Sequence, residues 1–145
     1  MCKKRKIITI TVLFVLGVAV SYLQWGREID VVGSMGTSSE NFHEEHVTFT
    51  LNRLIITDKE KCAEEIIKKC RENDFASTLF SYDVAKPNAL YGTVYRSRFS
   101  MKGQKPLFHF RYTQTADTLG SYNIVDDPEA VSYTHLRAHE TVLDL

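Results

Sequence analysis

Two pairs of histidines lie close enough together in the sequence to suggest a metal site. His135 and His139 lie in "VSYTHLRAHETVLDL", four residues apart, so a helix would place both rings on one face, as many zinc sites require. His43 and His46 lie in "HEEH", where strand or loop spacing points the two rings in different directions. No third or fourth ligand cluster accompanies this second pair. We therefore predict no metal site there, and no cofactor.

The remaining candidates for catalysis lack partners. His109 has the chemistry of a general base, but no Ser or Cys in a known nucleophile motif accompanies it. Asp126, Asp127 and Glu129 form a carboxylate cluster that would suit a glycosidase only across a cleft, and "NIVDDPEA" favours a turn instead. The phosphate-binding and hydrolase motifs are absent from the sequence. An enzyme is therefore the less favoured class.

Six basic or histidine side chains gather on one predicted hairpin. They form a basic patch consisting of Arg96, Arg98, Lys102, Lys105, His109 and Arg111. In a slightly acidic domain, such a patch suits an anionic envelope polymer, lipid headgroups or an acidic protein partner. An ordinary solvated sheet face gives the same alternation, so the patch is a hypothesis about binding.

The overall charge gives no attraction to nucleic acid. The 145 residues, one domain's worth of chain, carry 18 Lys+Arg and 18 Asp+Glu. Residues 22–130 carry 13 basic and 16 acidic residues, because much of the positive charge lies at the N-terminus. The basic patch matches no nucleic-acid recognition module, and we predict no nucleic-acid partner.

The N-terminal segment predicts export. Residues 7–23, "IITITVLFVLGVAVSYL", carry no charge and rise about 25 Å as a helix, at the short end of what spans a bilayer. Tyr22 and Trp25 would lie at one membrane interface. The basic stub of residues 1–6 predicts a cytoplasmic N-terminus, with everything after the transmembrane anchor (residues 7–25) outside the membrane.

A cleaved signal peptide competes with the anchor. Its basic and apolar regions are the same, and "AVS" at residues 19–21 offers small residues for cleavage near Ser21. The apolar run is longer than the usual apolar region of a signal peptide and ends in aromatic residues, which favours the anchor. The partner would then be the lipid bilayer, through residues 7–25.

Two cysteines follow the export segment. Cys62 and Cys70 are eight residues apart on one predicted helix, about 12 Å along its axis, which is too far for a disulfide between them. We predict that they act as small apolar residues on a buried face. Pairing with another segment or another chain is the alternative.

The next segments predict a tether, a strand and a helix. Residues 26–45 contain Gly and Ser with little periodicity, so we expect a tether. A strand is predicted over residues 46–57. A helix follows in "TDKEKCAEEIIKKCREND", where Thr57 and Glu60 match a capping box. Its apolar stripe is Cys62, Ala63, Ile66, Ile67 and Cys70.

Three further strands are predicted over residues 77–83, 89–100 and 105–115. In the second, Tyr91, Thr93, Tyr95 and Phe99 share a face, and in the third Phe108, Phe110 and Tyr112 do. A loop with Gly103 joins these two strands as an antiparallel hairpin. The element order β-α-β-β-β predicts an α+β fold, with one helix on a mostly antiparallel sheet, over residues 46–129.

The C-terminal tail resembles a synthetic sequence. Back-translation of "VSYTHLRAHET", residues 131–141, gives one reading frame of the adapter used in transposase-based DNA sequencing libraries. The resemblance resumes at Asp144-Leu145, and Ala130 also fits. It implies that residues 130–145 are not native and that His135 and His139 are no zinc site. We expect a C-terminally truncated domain and a tail without core contacts.

These observations predict a small bacterial envelope protein, single-pass and membrane-anchored. Its extracytoplasmic α+β domain would have a binding or accessory role, with the basic patch as the first candidate surface. The alternative is a secreted or tethered enzyme whose catalytic residues lie partly beyond Glu129.

Overall fold

A long apolar helix leads into a five-stranded sheet that carries a shorter helix on one face. The structure, a computed structural model, describes residues 2–40, 42–114, 122–128 and 131–136. The elements in chain order are α1 (Cys2–Trp25), β1 (Asp30–Ser39), β2 (Phe42–Thr50), α2 (Lys59–Glu72), β3 (Ala89–Tyr95), a 3₁₀ helix (Arg98–Met101), β4 (Phe108–Gln114) and β5 (Val131–Leu136). The predicted α+β class, with an N-terminal apolar helix, is confirmed.

Helix α1 is long and apolar enough, over Lys4–Trp25, to cross a membrane or to act as a signal sequence. Two polar side chains within its apolar stretch have hydrogen-bond acceptors on the helix itself. The hydroxyls of Thr9 and Thr11 donate hydrogen bonds to the carbonyls of Arg5 and Ile7, one turn earlier. Because each hydroxyl already has an acceptor, burial of these threonines in an apolar medium leaves no unpaired donor.

The sheet is mixed, with strand order β1-β2-β3-β4-β5. Three of its pairings are antiparallel, and β2 pairs with β3 in parallel. A parallel pair needs a long crossover between its strands, and α2 lies in that crossover. The prediction of a mostly antiparallel sheet with a helix is confirmed.

The core lies between α2 and one face of the sheet. The predicted apolar stripe of α2 is buried, and Cys62 and Cys70 are free thiols within it. Opposite the stripe, the sheet contributes the buried side chains Val31, Val47, Phe49, Leu90, Val94, Phe108, Phe110 and Tyr112. Burial raises the pKa of the Cys70 thiol strongly, so this cysteine stays protonated.

Helix α2 begins one residue later than its capping pattern suggests. Asp58, not Thr57, is the N-cap, and its carboxylate accepts a hydrogen bond from the Lys61 backbone N–H at 3.0 Å. At the other end Asn73 adopts the left-handed conformation. Its amide exchanges two hydrogen bonds of 2.8 Å with the Phe80 backbone. One side chain thus ends the helix and fixes the following loop.

The tether predicted over residues 26–45 is wrong, because much of that range forms β1 and its turn. Strand β1 pairs with β2 along its length, with an irregularity between Val31 and Gly33. Most of its residues are exposed, so the hydrophobic pattern that marks a half-buried strand is missing. Backbone pairing at the edge of a sheet needs no such pattern.

Two other predicted strands are revised. The strand predicted over residues 46–57 begins earlier, at Phe42, and ends at Thr50, because Asn52 takes a positive φ of 54°. Residues 77–83 form an irregular segment instead of a strand. There the Tyr82 hydroxyl donates to the Cys70 carbonyl at 2.6 Å, which holds the segment against the end of α2.

The buried face of β3 is not the one that Tyr91, Thr93 and Tyr95 share. Leu90 and Val94 are buried, whereas Tyr91 and Thr93 lie on the other face. Gly92 makes this possible, because its missing side chain leaves room for the Phe110 ring across the pair. The aromatic residues of β3 therefore remain on the open face, although hydrophobicity alone favours their burial.

The tail contributes a strand to the fold. Val131–Leu136 pairs with β4 as the antiparallel edge strand β5, while the expectation of a tail without core contacts stays a prediction. The segment "VSYTHL" is rich in β-branched and aromatic residues, which favour strands. His135 lies in β5, and His139 lies outside the described residues.

Candidate functional site

The basic patch does not form a single surface. Strand β3 ends at Tyr95, so Arg96 and Arg98 lie beyond it and not on a sheet face. Together with Lys102 and Lys105 they belong to the connection of residues 96–107. All four side chains are exposed, and within the described part of the chain none of them forms an ion pair.

The other two patch residues, His109 and Arg111, lie on β4. They belong to the open face, by which we mean the sheet face that α2 leaves uncovered. His109 pairs across strands with Thr93, and its Nδ1 lies 3.1 Å from the Thr93 hydroxyl. Partial burial lowers the pKa of His109, so this ring is neutral at pH 7. Of the pair, Arg111 therefore supplies the positive charge.

A row of three side chains crosses the open face. The His46 and Tyr91 rings stack at 4.6 Å between centroids, with 8° between their planes. The Arg111 guanidinium lies 5.6 Å from the centroid of Tyr91. Cross-strand pairing places these residues side by side on β2, β3 and β4. We call them the His46–Tyr91–Arg111 row.

The row borders a shallow groove on β1 and β2. The groove has a volume of about 320 Å³, and its lining includes Met35, which is exposed, and Thr48 and Thr93. Near the row, the Glu44 carboxylate lies 3.6 Å from Nε2 of His46. The surface thus combines flat rings, hydroxyls and a guanidinium that lacks a carboxylate partner within the described chain.

A second group lies at the β1–β2 hairpin, on the other face of the sheet. The Ser38 hydroxyl is 2.6 Å from Nδ1 of His43, and Nε2 of His43 is 3.4 Å from a carboxylate oxygen of Glu45. The other oxygen of Glu45 accepts a hydrogen bond from Ser34 at 2.6 Å. This Ser–His–Glu chain has the residue order of a hydrolytic triad, with the roles of the two ring nitrogens exchanged.

The backbone around His43 is fixed on both sides. The Asn88 side chain accepts a 2.7 Å hydrogen bond from the His43 N–H, and the Asn88 N–H donates to the His43 carbonyl at 2.7 Å. Across the hairpin, a side chain at Gly36 would press on both His43 and Glu45. The glycine therefore leaves room for the ion pair.

Two members of the Ser–His–Glu group, His43 and Glu45, line a cleft of about 290 Å³, whereas Ser38 does not contribute to its lining. One wall consists of Ser34, His43 and Glu45, and the segment of residues 78–85 forms the other. A cleft of this size holds a small acyl group or one residue of a chain.

The acidic turn has a structural role. Asp126 forms a 2.6 Å ion pair with Lys86, and this hydrogen bond lowers the pKa of Asp126. Asp127 accepts a 3.0 Å hydrogen bond from the Asn123 N–H. The prediction of a turn is confirmed, while Glu129 lies outside the described residues.

His43 and His46 lie on opposite faces of β2, as the strand spacing predicts. In the described ranges, no group of three or more His, Cys, Asp or Glu side chains is placed to hold a metal ion.

The sequence contained a signal for the Ser–His–Glu group that the tether interpretation concealed. Ser34, Gly36 and Ser38 recur every second residue, and so do His43 and Glu45. Two such runs with a turn between them predict a hairpin whose like-spaced side chains meet. The His46–Tyr91–Arg111 row could not be predicted from the sequence, because it depends on a parallel pairing across the crossover.

Comparison with protein-family models, with curated proteins and with solved structures gives no match for this chain.

Proposed function

We propose that this chain is a membrane-anchored envelope protein whose domain, outside the membrane, binds an anionic polymer through the open face. The apolar helix α1 supports the anchor, and the four basic residues in its first turns favour an N-terminus in the cytoplasm. Removal of α1 as a signal peptide would give a secreted form with the same binding face.

The His46–Tyr91–Arg111 row carries this proposal. Antiparallel sheets commonly leave one face in water, but such a face is ordinarily polar. Here two stacked rings and a guanidinium stand together beside an exposed methionine, Met35. Flat rings bind the apolar faces of sugars or peptide planes, while an unpaired arginine binds carboxylate or sulfate in a bidentate manner.

Charge distribution further favours an anionic ligand. Arg111 is exposed and forms no ion pair within the described ranges, so a carboxylate that approaches it displaces only water. A linear polymer lying across the strands would contact the row and the groove together.

Binding to defined polyanions tests the proposal. The full chain in neutral-lipid nanodiscs is titrated with fluorescent poly-L-glutamate and dextran sulfate. Neutral dextran serves as the control ligand. We expect Arg111→Gln to weaken polyanion binding about tenfold, since a charged hydrogen bond contributes roughly 1.5–3 kcal/mol. Tyr91→Ala should have a similar effect, because it removes the support for the guanidinium.

The matched control is Lys68→Gln on the exposed side of α2, which removes the same charge away from the open face. Equal losses for Lys68→Gln and Arg111→Gln, or equal binding of neutral dextran, would contradict the proposal. Binding that requires an acidic protein instead of a polymer would replace the ligand class while keeping the surface.

The Ser–His–Glu group favours a second candidate function, the hydrolysis of small esters. In that reaction the Ser38 hydroxyl attacks the ester carbonyl while His43 takes its proton, and Glu45 stabilises the resulting imidazolium. The proton then passes to the leaving alcohol, and water hydrolyses the acyl-serine. The cleft of about 290 Å³ beside His43 and Glu45 would hold the acyl chain.

A fluorophosphonate probe and p-nitrophenyl acetate test the second candidate. Ser38→Ala and His43→Gln should each abolish labelling and esterase activity. Ser34→Ala is the matched control, because Ser34 lies on the same strand and contacts Glu45 instead of His43. Labelling that persists in Ser38→Ala would rule out this nucleophile.

A further inference from the structure

One end of the sheet collects the chain segments that adjoin α1. In the strand register, Asp30 of β1 pairs with Thr50 of β2, and Thr50 pairs with Tyr95 of β3. Next to them, Val94 pairs with Phe108 at the start of β4. The residues before β1 and the connections 51–58 and 96–107 therefore meet at this end. We call it the proximal end.

Specific hydrogen bonds join α1 to the proximal end. The Gln24 amide donates to the Ile55 carbonyl at 2.8 Å and accepts from the Ile55 N–H at 2.9 Å. Nearby, the Asn52 amide donates to the Glu28 carbonyl and to the Asp30 carboxylate, each at 3.0 Å. If α1 spans the bilayer, these bonds place the proximal end next to the headgroups.

The proximal end exposes apolar side chains that a water-facing surface ordinarily lacks. Phe99 is 88% exposed, Ile55 66% and Leu54 44%. They come from two different connections, yet both connections lie at the same end of the sheet. Single exposed apolar residues need no explanation, but a group of three beside a membrane-length helix does.

Basic side chains accompany these apolar ones. Arg96, Arg98, Lys102 and Lys105 all lie in the same connection as Phe99 and are exposed. Across the described residues, none of the four has a carboxylate within ion-pair distance. Apolar residues that insert at the interface, flanked by cations that meet phosphates, are typical of surfaces that bind anionic membranes.

The opposite end of the sheet has a different character. Its turns carry Glu40, Asp83, Asp126 and Asp127, and its lysine, Lys86, is paired with Asp126. The proximal end also contains Glu28 and Asp58, but its basic residues outnumber them, so the charge is polarised along the strands, positive next to α1 and negative away from it. An anionic bilayer would orient the domain with the proximal end toward the membrane.

We propose that the proximal end docks onto anionic phospholipid headgroups of the membrane that holds α1, with Phe99, Leu54 and Ile55 at the interface. This inference rests on the anchoring part of the proposed function and is independent of the polymer ligand. Docking would hold the domain upright and present the open face and the Ser–His–Glu cleft away from the lipid.

Tryptophan quenching measures this contact directly. The full chain carries Trp25→Phe to remove its single native tryptophan, and Phe99→Trp then reports on the proximal end. The protein is reconstituted into nanodiscs of brominated phosphatidylcholine, with or without 30% phosphatidylglycerol. We expect the fluorescence of the Phe99→Trp reporter to be quenched and blue-shifted in the anionic discs. Val84→Trp, at an equally exposed position (86%) away from this end, should remain unquenched.

Paired charge removals test the electrostatic part. Arg98→Gln with Lys102→Gln should lower the docked-to-free ratio about fivefold for each charge removed. Lys68→Gln with Lys86→Gln removes the same charge away from the proximal end and should change the ratio little. Equal effects of the two pairs, equal quenching in neutral discs, or an unquenched Phe99→Trp reporter would each overturn the proposal.

The two proposals fail separately in these experiments. Arg111→Gln should weaken polyanion binding in neutral discs and leave the quenching of the Phe99→Trp reporter unchanged in anionic discs. Arg98→Gln with Lys102→Gln should do the reverse. A loss of both readouts in either variant would overturn the docking proposal, because it would show that the two surfaces are one.

Discussion

At the scale of single residues, close packing around β3 decides which of its faces is buried. Gly92 lies opposite Phe110 in the β3–β4 register, and any side chain there would overlap the Phe110 ring. This absent side chain turns Leu90 and Val94 inward and leaves Tyr91 available to the His46–Tyr91–Arg111 row. A single glycine therefore connects the core to the candidate binding surface.

Gly92→Ala should lower the free energy of unfolding by about 1–3 kcal/mol, because overpacking forces the Phe110 ring to move. Urea denaturation of the full chain in detergent, followed by circular dichroism, measures the change. Gly33→Ala on β1 is the control, since no atom lies near the added methyl group. Phe110→Leu in the Gly92→Ala background should recover part of the loss. Equal stability of the two glycine variants would contradict this account.

His109 gives the domain a pH dependence with a defined sign. Its pKa in the folded state lies below the ordinary value of 6.5, because partial burial disfavours the charged ring. The unfolded chain therefore binds the proton more readily, and stability falls as the pH drops below about 6.5 towards the folded-state pKa.

Replacement of His109 by Gln should reduce this loss of stability. Unfolding free energies of both proteins at pH 7.5 and pH 5.5 give the comparison. The wild type should lose more stability than His109→Gln over that interval. The opposite ordering would show that the ring is stabilised in its charged form.

At the scale of elements, features that depend on a single segment were predictable from the sequence, and features that depend on strand pairing were not. The apolar stripe of α2 and the alternation in β4 both gave the buried residues correctly, since each depends on one period within one segment. Strand β1 was missed because an exposed edge strand has no such period. The buried face of β3 cannot be read from β3 alone, because it depends on the Phe110 ring in β4.

The two candidate sites differ in the same way, by how far apart their residues lie in the sequence. The Ser–His–Glu group is local to one hairpin, and its spacing is visible in the sequence. The His46–Tyr91–Arg111 row combines β2, β3 and β4, which no single segment encodes. The basic patch failed as one surface because β3 ends at Tyr95, three residues earlier than Arg98.

Helix α2 offers a test of which residue caps it. Asp58→Ala should destabilise the protein by about 1 kcal/mol, because the Lys61 N–H loses its acceptor. Thr57→Ala should cost less than about 0.5 kcal/mol, since Thr57 is exposed and lies before the cap. Chemical denaturation of both variants decides between the two caps, and a larger effect at Thr57 would restore the capping box of the sequence.

At the scale of the whole molecule, the buried thiols simplify a test of topology. Cys62 and Cys70 are buried, whereas Val84 is 86% exposed. A membrane-impermeant maleimide added to intact cells should therefore label Val84→Cys, with Cys2 replaced by Ser, and leave the matched protein without the new cysteine unlabelled. Labelling only after permeabilisation would contradict the outside placement. The intact mass of the labelled protein distinguishes a retained α1 from cleavage near Ser21.

The parallel pairing of β2 with β3 also sets an order in time. Ribosomes and translocation channels release a chain from its N-terminus, so the β1–β2 hairpin is complete before its second neighbour exists. Strand β2 must wait for residues 51–88 to emerge before β3 can join it. Sequence-distant contacts of this kind slow folding, since closing the loop costs entropy before any pairing is gained. During that interval one edge of β2 is unpaired and exposed to other chains. We therefore expect a chaperone to bind this nascent hairpin.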